Sequence, residues 1–255
     1  MLTLRDIRVE HDQRLILGLD RLEIDPGQFT VILGHNGSGK STLMNLMARQ
    51  LSPDAGHIEL NNRALQSYSQ REFARCVAFL PQRLPDVSGL TVRELARLGR
   101  FPWRGLLGRW QAEDRHLIDL ALQQTDVARY ADHLADSLSG GERQRAWIAM
   151  LLTQQAPLLL LDEPTSALDL AHQYELMELL RSLNRNQGRG IVTILHDVNL
   201  SCRYAQRIIA LKGGRLFFDG SPLELLCPQR LSNLYEIDIH LIQQAGRAAP
   251  LAVVS

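Results

Sequence analysis

The stretch that constrains this chain most is Gly34-His35-Asn36-Gly37-Ser38-Gly39-Lys40-Ser41-Thr42. Gly, four residues, Gly-Lys and then Ser is the spacing of a phosphate-binding loop. It lies between an apolar strand pattern, Phe29 to Leu33, and a helical pattern beginning at Ser41. Glycines let the backbone take positive φ and approach a ligand closely, so successive N–H groups and a helix N-terminus converge on phosphate oxygens. Lys40 then reaches the β- and γ-phosphates as a point charge, and the Ser41 hydroxyl offers a hard oxygen to Mg²⁺. By average residue usage such a string arises by chance in about one chain of this length in a hundred, and the strand-before, helix-after context lowers that further. A bound nucleoside triphosphate is the first expectation.

Three other strand patterns end in polar residues suited to such a ligand. Leu158 to Leu161 is a continuous apolar run, as in a strand buried on both faces of a parallel sheet, and ligands of such sheets lie beyond the C-terminal strand ends, where Asp162 and Glu163 emerge. Neighbours at a strand end point to different sides, so one carboxylate can hold Mg²⁺ while the other orients a water for in-line attack on the γ-phosphate. Asp162 is assigned to the metal and Glu163 to the water. An arbitrary Asp-Glu pair more often just caps the next helix; the apolar run and the phosphate loop reverse those odds. His196 follows the strand pattern Ile191 to Leu195, and its neutral imidazole could donate to the γ-phosphate or hold the water. Gln82, after Val77 to Leu80, is an amide able to touch metal or water. Ser139-Gly140-Gly141-Glu142 opens a helical pattern from Arg143 to Leu152, a second glycine-flanked helix start with amides and dipole available for an anion. One such end suffices for a simple nucleotide enzyme; a second implies a grip on the γ-phosphate from another side or another subunit.

Around these motifs, apolar residues from Leu2 to Ile24 mostly alternate, as in two strands with one buried face, and Asp25-Pro26-Gly27 is a turn. A helix is expected over Ser41 to Leu51, a strand over His57 to Leu60 and a helix around Gln70 to Ala74. Residues 83 to 150 change character: Thr91-Val92-Arg93-Glu94 has capping-box spacing, and Ala112 to Gln124 and Asp126 to Leu134 continue in helical periods. In this stretch Arg83, Arg93, Arg97, Arg100, Arg104, Arg109 and Arg115 outnumber nearby acids, which reads either as a solvated face or as a docking surface for lipid headgroups or an acidic partner loop. A helix from Ala171 to Leu183 carries Leu176, Leu179, Leu180 and Leu183 on one stripe. Lys212-Gly213-Gly214 between Arg207 to Leu211 and Arg215 to Phe218 signals a hairpin. Beyond Gly220 short helices and a weakly patterned tail with a disordered end are expected.

Composition closes off several classes. With 28 Lys plus Arg against 28 Asp plus Glu in 255 residues, no net field draws the chain to nucleic acid or to an anionic membrane surface. The start at Met1 reads as no secretory signal, and the longest apolar runs are far short of a membrane span. Cys76, Cys202 and Cys227 are odd in number and lack metal-ligand spacing, as expected of reduced thiols in a cytoplasm serving as small buried residues.

Taken in order, these strings resemble the ATP-binding cassette ATPases. Gly34 to Thr42 is similar to Walker A, Gln82 to the Q-loop, Leu138-Ser139-Gly140-Gly141-Glu142 to the signature, and Leu158 to Glu163 to Walker B. Ser166-Ala167-Leu168-Asp169 is similar to the D-loop and His196 to the switch histidine. The resemblance covers essentially the whole chain, and the signature is far more specific than the phosphate loop. It implies an α/β fold: a P-loop NTPase core, with a RecA-like mixed sheet and an N-terminal antiparallel β subdomain, plus an inserted α-helical subdomain. In one ATPase domain spanning 1–255, residues 1–82 and 151–220 would form the nucleotide-binding core, 83–150 the helical subdomain, and 221–255 the C-terminal helices and tail.

The resemblance also implies ATP and Mg²⁺ as cofactors. His35, Asn36, Gly37, Ser38, Gly39 and the rest of the loop, with Ser139, Gly140, Gly141 and Asp169, would bind nucleotide; Ser41, Gln82 and Asp162 would hold the metal; Glu163, His196 and Gln82 would serve hydrolysis. Counting back from Gly27, His11 falls near the family's adenine-stacking aromatic. The expected assembly is a homodimer with each ATP between Walker A of one chain and the signature of the other. It would dock through the helical subdomain on a membrane permease, served by a periplasmic or lipid-anchored binding protein, at the cytoplasmic face of the bacterial cytoplasmic membrane. Val77 to Gln82, Leu90 to Leu95, Gly99-Arg100-Phe101-Pro102-Trp103 and Ser139 to Ala149 resemble ATPase subunits of iron-chelate importers, above all of ferric hydroxamate siderophores. Haem, cobalamin and catecholate chelates are the rival cargoes. A GTPase or kinase would leave the signature unused, and a non-transport cassette ATPase would usually join two cassettes or carry coiled coils or basic arms. One departure is Glu142, where many family members have glutamine.

Overall fold

The structure, a computed structural model, describes residues 1–104, 109–243 and 249–254. The chain runs β1 (Leu2–His11), β2 (Arg14–Ile24), β3 (Phe29–Leu33), α1 (Lys40–Met47), β4 (Ala55–Leu60), β5 (Arg63–Ala64), α2 (Gln70–Cys76) and β6 (Val77–Leu80). Next come α3 (Val92–Leu98), α4 (Phe101–Arg104), α5 (Ala112–Gln124), α6 (Gly140–Gln154), β7 (Leu158–Leu161), α7 (Leu170–Gln187) and β8 (Gly190–Ile194). It closes with α8 (Val198–Tyr204), β9 (Arg207–Lys212), β10 (Arg215–Gly220), α9 (Pro222–Leu225), α10 (Pro228–Tyr235), β11 (Ile239–Ile242) and β12 (Leu251–Val254). Two compact units result, one of Met1–Leu65 with Val192–Ser255, the other Gln66–Ile191.

In the first unit the strands lie in the order β5-β4-β1-β2-β10-β9-β3, with the end of β8 beside β3. β1 and β2 pair antiparallel, and Leu2, Leu4, Ile7 and Val9 face Ile24, Leu22, Leu19 and Leu17, all buried. The alternation changes phase between Leu4 and Ile7. Asp6 has φ 51°, and the register of β1 on β4 shifts between Arg5 and Arg8, so both apolar pairs meet the core despite their odd spacing. β3 is buried at every residue and pairs parallel with β9, as its unbroken apolar run requires. The hairpin β9–β10 turns through Gly213 and Gly214, at φ 55° and 73°, the left-handed pair that a two-residue hairpin loop needs.

Past Gly220 the short helices form as read, α9 and α10, but the weakly patterned tail proves to hold a paired sheet. β11 and β12 pair antiparallel, Ile239 opposite Val254 and Ile242 opposite Leu251. Asn199 on α8 holds the pair in both directions, donating to the Ala252 carbonyl at 3.0 Å and accepting the Ala252 N–H at 2.8 Å. Four-residue strands carry too little alternation to be read alone; the paired strand specifies them. The expected disordered end is corrected as well, since Leu251–Val254 form β12; Ser255 lies outside the described residues.

In the second unit β6 and β7 pair parallel, from Val77 opposite Leu158 to Leu80 opposite Leu161. α3 and α5 pack on α6, burying Val92, Leu95, Ile118, Leu122, Ile148 and Leu152. Burying each of these large side chains favours the folded state by about 1.5–3 kcal/mol before entropy is counted. The Thr91–Glu94 capping box forms as read, each side chain bonded to the other's backbone N–H. The expected helix Asp126 to Leu134 does not form. Asp126 sits at φ 53° and only a single 3₁₀ turn, Ala128–Tyr130, follows, since a left-handed residue ends any α-helix.

Several arginines of this stretch serve neither of the uses weighed for them. Arg100 is buried and donates to Asp114 at 2.8 Å and to the Thr153 carbonyl at 3.0 Å. Arg97 and Arg104 both stack on Trp110, 4.4 and 3.6 Å from its ring centre. Arg83, Arg109 and Arg115 remain exposed. The three cysteines are half-buried free thiols rather than core residues; burial, then the Asp197 charge, pushes the Cys202 thiol up to about 12 and leaves it unreactive.

Candidate nucleotide site

The first unit supplies the phosphate loop. Gly34, Gly37 and Gly39 take φ of 146°, 76° and 99°, conformations that side-chain-bearing residues rarely adopt. The loop is wedged on one side and open on another. A Cβ on Gly34 would lie 2.3 Å from the Leu211 carbonyl oxygen and 2.5 Å from Ser38 Oγ, whereas one on Gly37 would meet nothing within 4 Å. The β9–β10 turn forms the wall: Gly214 donates its N–H to the Ser38 carbonyl at 3.2 Å and accepts the Gly18 N–H at 2.7 Å. Sequence reading missed this support, although the Gly213-Gly214 pair was the available signal.

Lys40 is 5% exposed, and its ammonium donates to the Gly34 carbonyl at 2.8 Å and the His35 carbonyl at 3.0 Å, folded back over the loop. Ser38 Oγ is buried without a hydrogen-bond partner. α1 begins at Gly39 with no side-chain cap and no acid in its first turn, whereas α2, α3, α6 and α9 each carry a Ser- or Thr-to-Glu capping box. The helix that follows the glycine loop thus keeps its first N–H groups and positive dipole end for an outside anion, and the residues present fit a bound phosphate chain.

Two more assigned residues lie in this unit. His196 is exposed in the turn between β8 and α8, whose N-cap is the adjacent Asp197, accepting the Leu200 N–H at 2.9 Å. His11 ends β1 with its side chain 77% exposed and Nδ1 3.0 Å from Asp12 Oδ2.

The second unit brings Gln82 and Glu163 together: the Gln82 Nε2–H donates to Glu163 Oε2 at 2.7 Å. Glu163 itself holds a left-handed backbone, φ 52°, a conformation costing a non-glycine residue about 1 kcal/mol or more. Its carbonyl is pinned by the Ser166 N–H at 3.2 Å and the Ser166 hydroxyl at 3.0 Å. Asp162, by contrast, keeps the strand path, 5% exposed, with its N–H on the Leu80 carbonyl at 2.9 Å. The two carboxylates diverge because the backbone itself turns between them, a sharper separation than strand alternation alone gives.

Ser139 caps α6, and Gly141 lies against the next motif: a Cβ there would sit 3.2 Å from Leu168 Cδ2. Asp169 caps α7, accepting the His172 N–H at 2.9 Å and lying 2.8 Å from His172 Nδ1; these bonds, the backbone one foremost, hold its carboxyl below the usual range. Among the described residues no group of three or more His, Cys, Asp or Glu could hold a metal ion. A cation bound here would rely on few protein oxygens and on its ligand's phosphates, the usual coordination of Mg²⁺ with nucleotides.

A family model described as ABC transporter matches residues 19–166, a span from β2 through the phosphate loop, Gln82, the Ser139 helix start and Glu163. The chain belongs to the ABC transporter family. It is an ATP-binding cassette, and its enzymatic activity is ATP hydrolysis. This cassette is 41% identical over 232 residues to the ferric enterobactin transport ATP-binding protein FepC of Escherichia coli K12, covering 91% of this chain and 86% of that protein. It is 40% identical over 252 residues to the iron(3+)-hydroxamate import ATP-binding protein FhuC of Bacillus subtilis 168, covering 99% and 94%. With the hemin import ATP-binding protein HmuV of Shewanella denitrificans it shares 37% identity over 258 residues, 99% of this chain and 100% of that one.

Among solved structures, the cassette superposes at TM-score 0.84 on a chain described as a metal-chelate type ABC transporter in an inward-facing conformation, at 26% identity over 100% of this chain and 97% of that one. It also matches the ATP-binding cassette MJ0796, solved as a dimer in a post-hydrolysis state bound to ADP and Pi, at 30% identity and TM-score 0.77, covering 87% and 99%. The mixed α/β fold read from the sequence is therefore that of the ABC ATPases. No helix among the described residues is long and apolar enough to cross a membrane.

Proposed function

We propose that this cassette is the ATP-hydrolysing subunit of an importer that takes up iron(III)-siderophore, with ferric hydroxamate as its cargo, from the cytoplasmic face of the bacterial cytoplasmic membrane. The observation that supports the reading is the alignment with FhuC at 40% identity over 99% of this chain, against 37% for HmuV over the same share and 91% coverage for FepC. Two chains pair, each ATP lying between the phosphate loop of one and Ser139, Gly140 and Gly141 of the other; the dimer of MJ0796 supports this assembly.

In each site the loop amides from Gly34 to Thr42, and Lys40 turned from its carbonyls, grip the β- and γ-phosphates. Ser41, Gln82 and Asp162 hold Mg²⁺, which when bound neutralises charge developing on the phosphates. Glu163 orients the attacking water, and His196 holds it or the γ-phosphate from the other side. Gln82, already bonded to Glu163, reports the transport state to the hydrolytic water. Asp169 acts at the dimer joint and His11 stacks on adenine.

Residues 83–150 form the helical subdomain that docks the permease. At its border a groove of about 430 Å³, lined by Leu98, Phe101 and Pro102 with Arg71 and Ala74 of α2 and Gln154, leaves Phe101 49% exposed and suits an apolar permease helix. A periplasmic or lipid-anchored protein delivers the cargo. Coupling requires that the permease states differ in affinity for the closed dimer.

The test is growth of a strain lacking this chain on single iron sources. Loss on ferric hydroxamates is expected; growth intact there but lost on haem, cobalamin or a catecholate chelate reassigns the cargo.

A further inference from the structure

Three helices of this chain open with a Ser or Thr and a Glu that cap each other, at Ser69, Thr91 and Ser221. The fourth such pair is Ser139 and Glu142, at the helix end assigned above to a γ-phosphate. Ser139 Oγ lies 2.7 Å from Glu142 Oε2 and accepts the Glu142 N–H at 3.4 Å. Glu142 also accepts the Tyr130 hydroxyl and, at 3.0 Å, the Ser139 N–H; led by the Tyr130 bond, these hold its carboxyl down at about 2. An ionised carboxylate has no proton to give, so the proton between Oγ and Oε2 is the serine's. The Ser139 hydroxyl is thereby spent as a donor. A phosphate oxygen arriving at it meets a lone pair, with a full negative charge one hydrogen bond behind.

We propose that Glu142 is a positioning residue that acts as a latch on the composite site, holding the Ser139 proton in the separate chain and releasing it to the γ-phosphate only as two chains close on ATP. The inference rests on the composite-site reading above. Tyr130, whose ring lies 4.9 Å from the Arg129 guanidinium, shares the carboxylate's charge and so eases the release. Removing that hydroxyl tightens the latch; neutralising the carboxylate opens it.

The full-length chain bearing Glu163→Gln, which keeps ATP intact, serves as parent, and sedimentation gives the ATP concentration for half-maximal dimer. Adding Glu142→Gln is expected to lower it about tenfold, a little more than one like-charge contact is worth in bulk water. Adding Tyr130→Phe is expected to raise it by about twofold, and to change nothing when Glu142→Gln is present. A purely structural cap would move both variants in the same direction, toward weaker dimers, and that result overturns the proposal. So does a dimer that Ser139→Arg abolishes but Glu142→Gln leaves unchanged. An ATP-dependent dimer that survives Ser139→Arg instead sinks the composite-site reading, and the latch with it.

Discussion

Replacing Glu163 by glutamine isolates the hydrolytic step. The carboxylate accepts the Gln82 amide at 2.7 Å, while the left-handed backbone of Glu163 is held separately, by Ser166 on its carbonyl. Glutamine has the same shape, so the turn survives; what is lost is the charge that the proposed role uses to orient the water. Converting the charge-assisted bond to a neutral one at this half-exposed position costs about 1 kcal/mol of stability at most. Removing a positioned base typically costs 10²–10⁴ in rate, and two orders of magnitude is about 2.7 kcal/mol of barrier. Phosphate release at saturating ATP should therefore fall at least a hundredfold, while nucleotide affinity, set by the phosphate loop, changes by less than about threefold. Near-normal turnover in Glu163→Gln would refute the water-orienting role.

Three further outcomes are expected. Chains carrying Lys40→Ala and chains carrying Ser139→Arg should each be inactive apart but regain phosphate release when mixed, because the mixed dimer holds one site with an intact loop and an intact Ser139; release no greater than the sum of the two populations would argue for independent sites. Gly34→Ala, forced toward the Leu211 carbonyl 2.3 Å from its new Cβ, should cost at least about tenfold in ATP affinity and lower Tm; unchanged affinity would show that the loop's path does not need the missing Cβ. Asp114→Ala strands the buried Arg100 and should cost about 3 kcal/mol, or roughly 6–12 °C in Tm. Burial raises the Asp114 pKa, but the Gln111 N–H, Arg100 and Arg104 outweigh it and the net shift is downward. The contribution is thus fully present above the unfolded value near 3.9, and the gap between wild type and variant should close in urea titrations as pH falls below it.

What the sequence made legible was whatever short-range chemistry determines. The Gly34–Thr42 loop, the buried run into Asp162, the Thr91 and Ser139 helix starts and the Gly213-Gly214 turn are each fixed by residues within a few positions. What escaped depends on partners far along the chain. The β11–β12 pair is fastened by Asn199, 53 residues before Ala252. Arg100 looked like surface charge because its acid, Asp114, and its carbonyl, Thr153, lie 14 and 53 residues away. Glu163 was read as a strand-end side chain, yet its backbone turns through a left-handed φ, and no residue type announces that in a glutamate. The phase change at Asp6 escaped for the same reason.

The most direct test of the account is uptake of radiolabelled iron by cells lacking this chain and complemented with it. The wild-type cassette should restore ferric hydroxamate uptake, and Glu163→Gln, though it binds ATP, should not. Hydroxamate uptake unaffected by the deletion, or restored equally by Glu163→Gln, would contradict the claim that ATP hydrolysis at this site drives iron-chelate import.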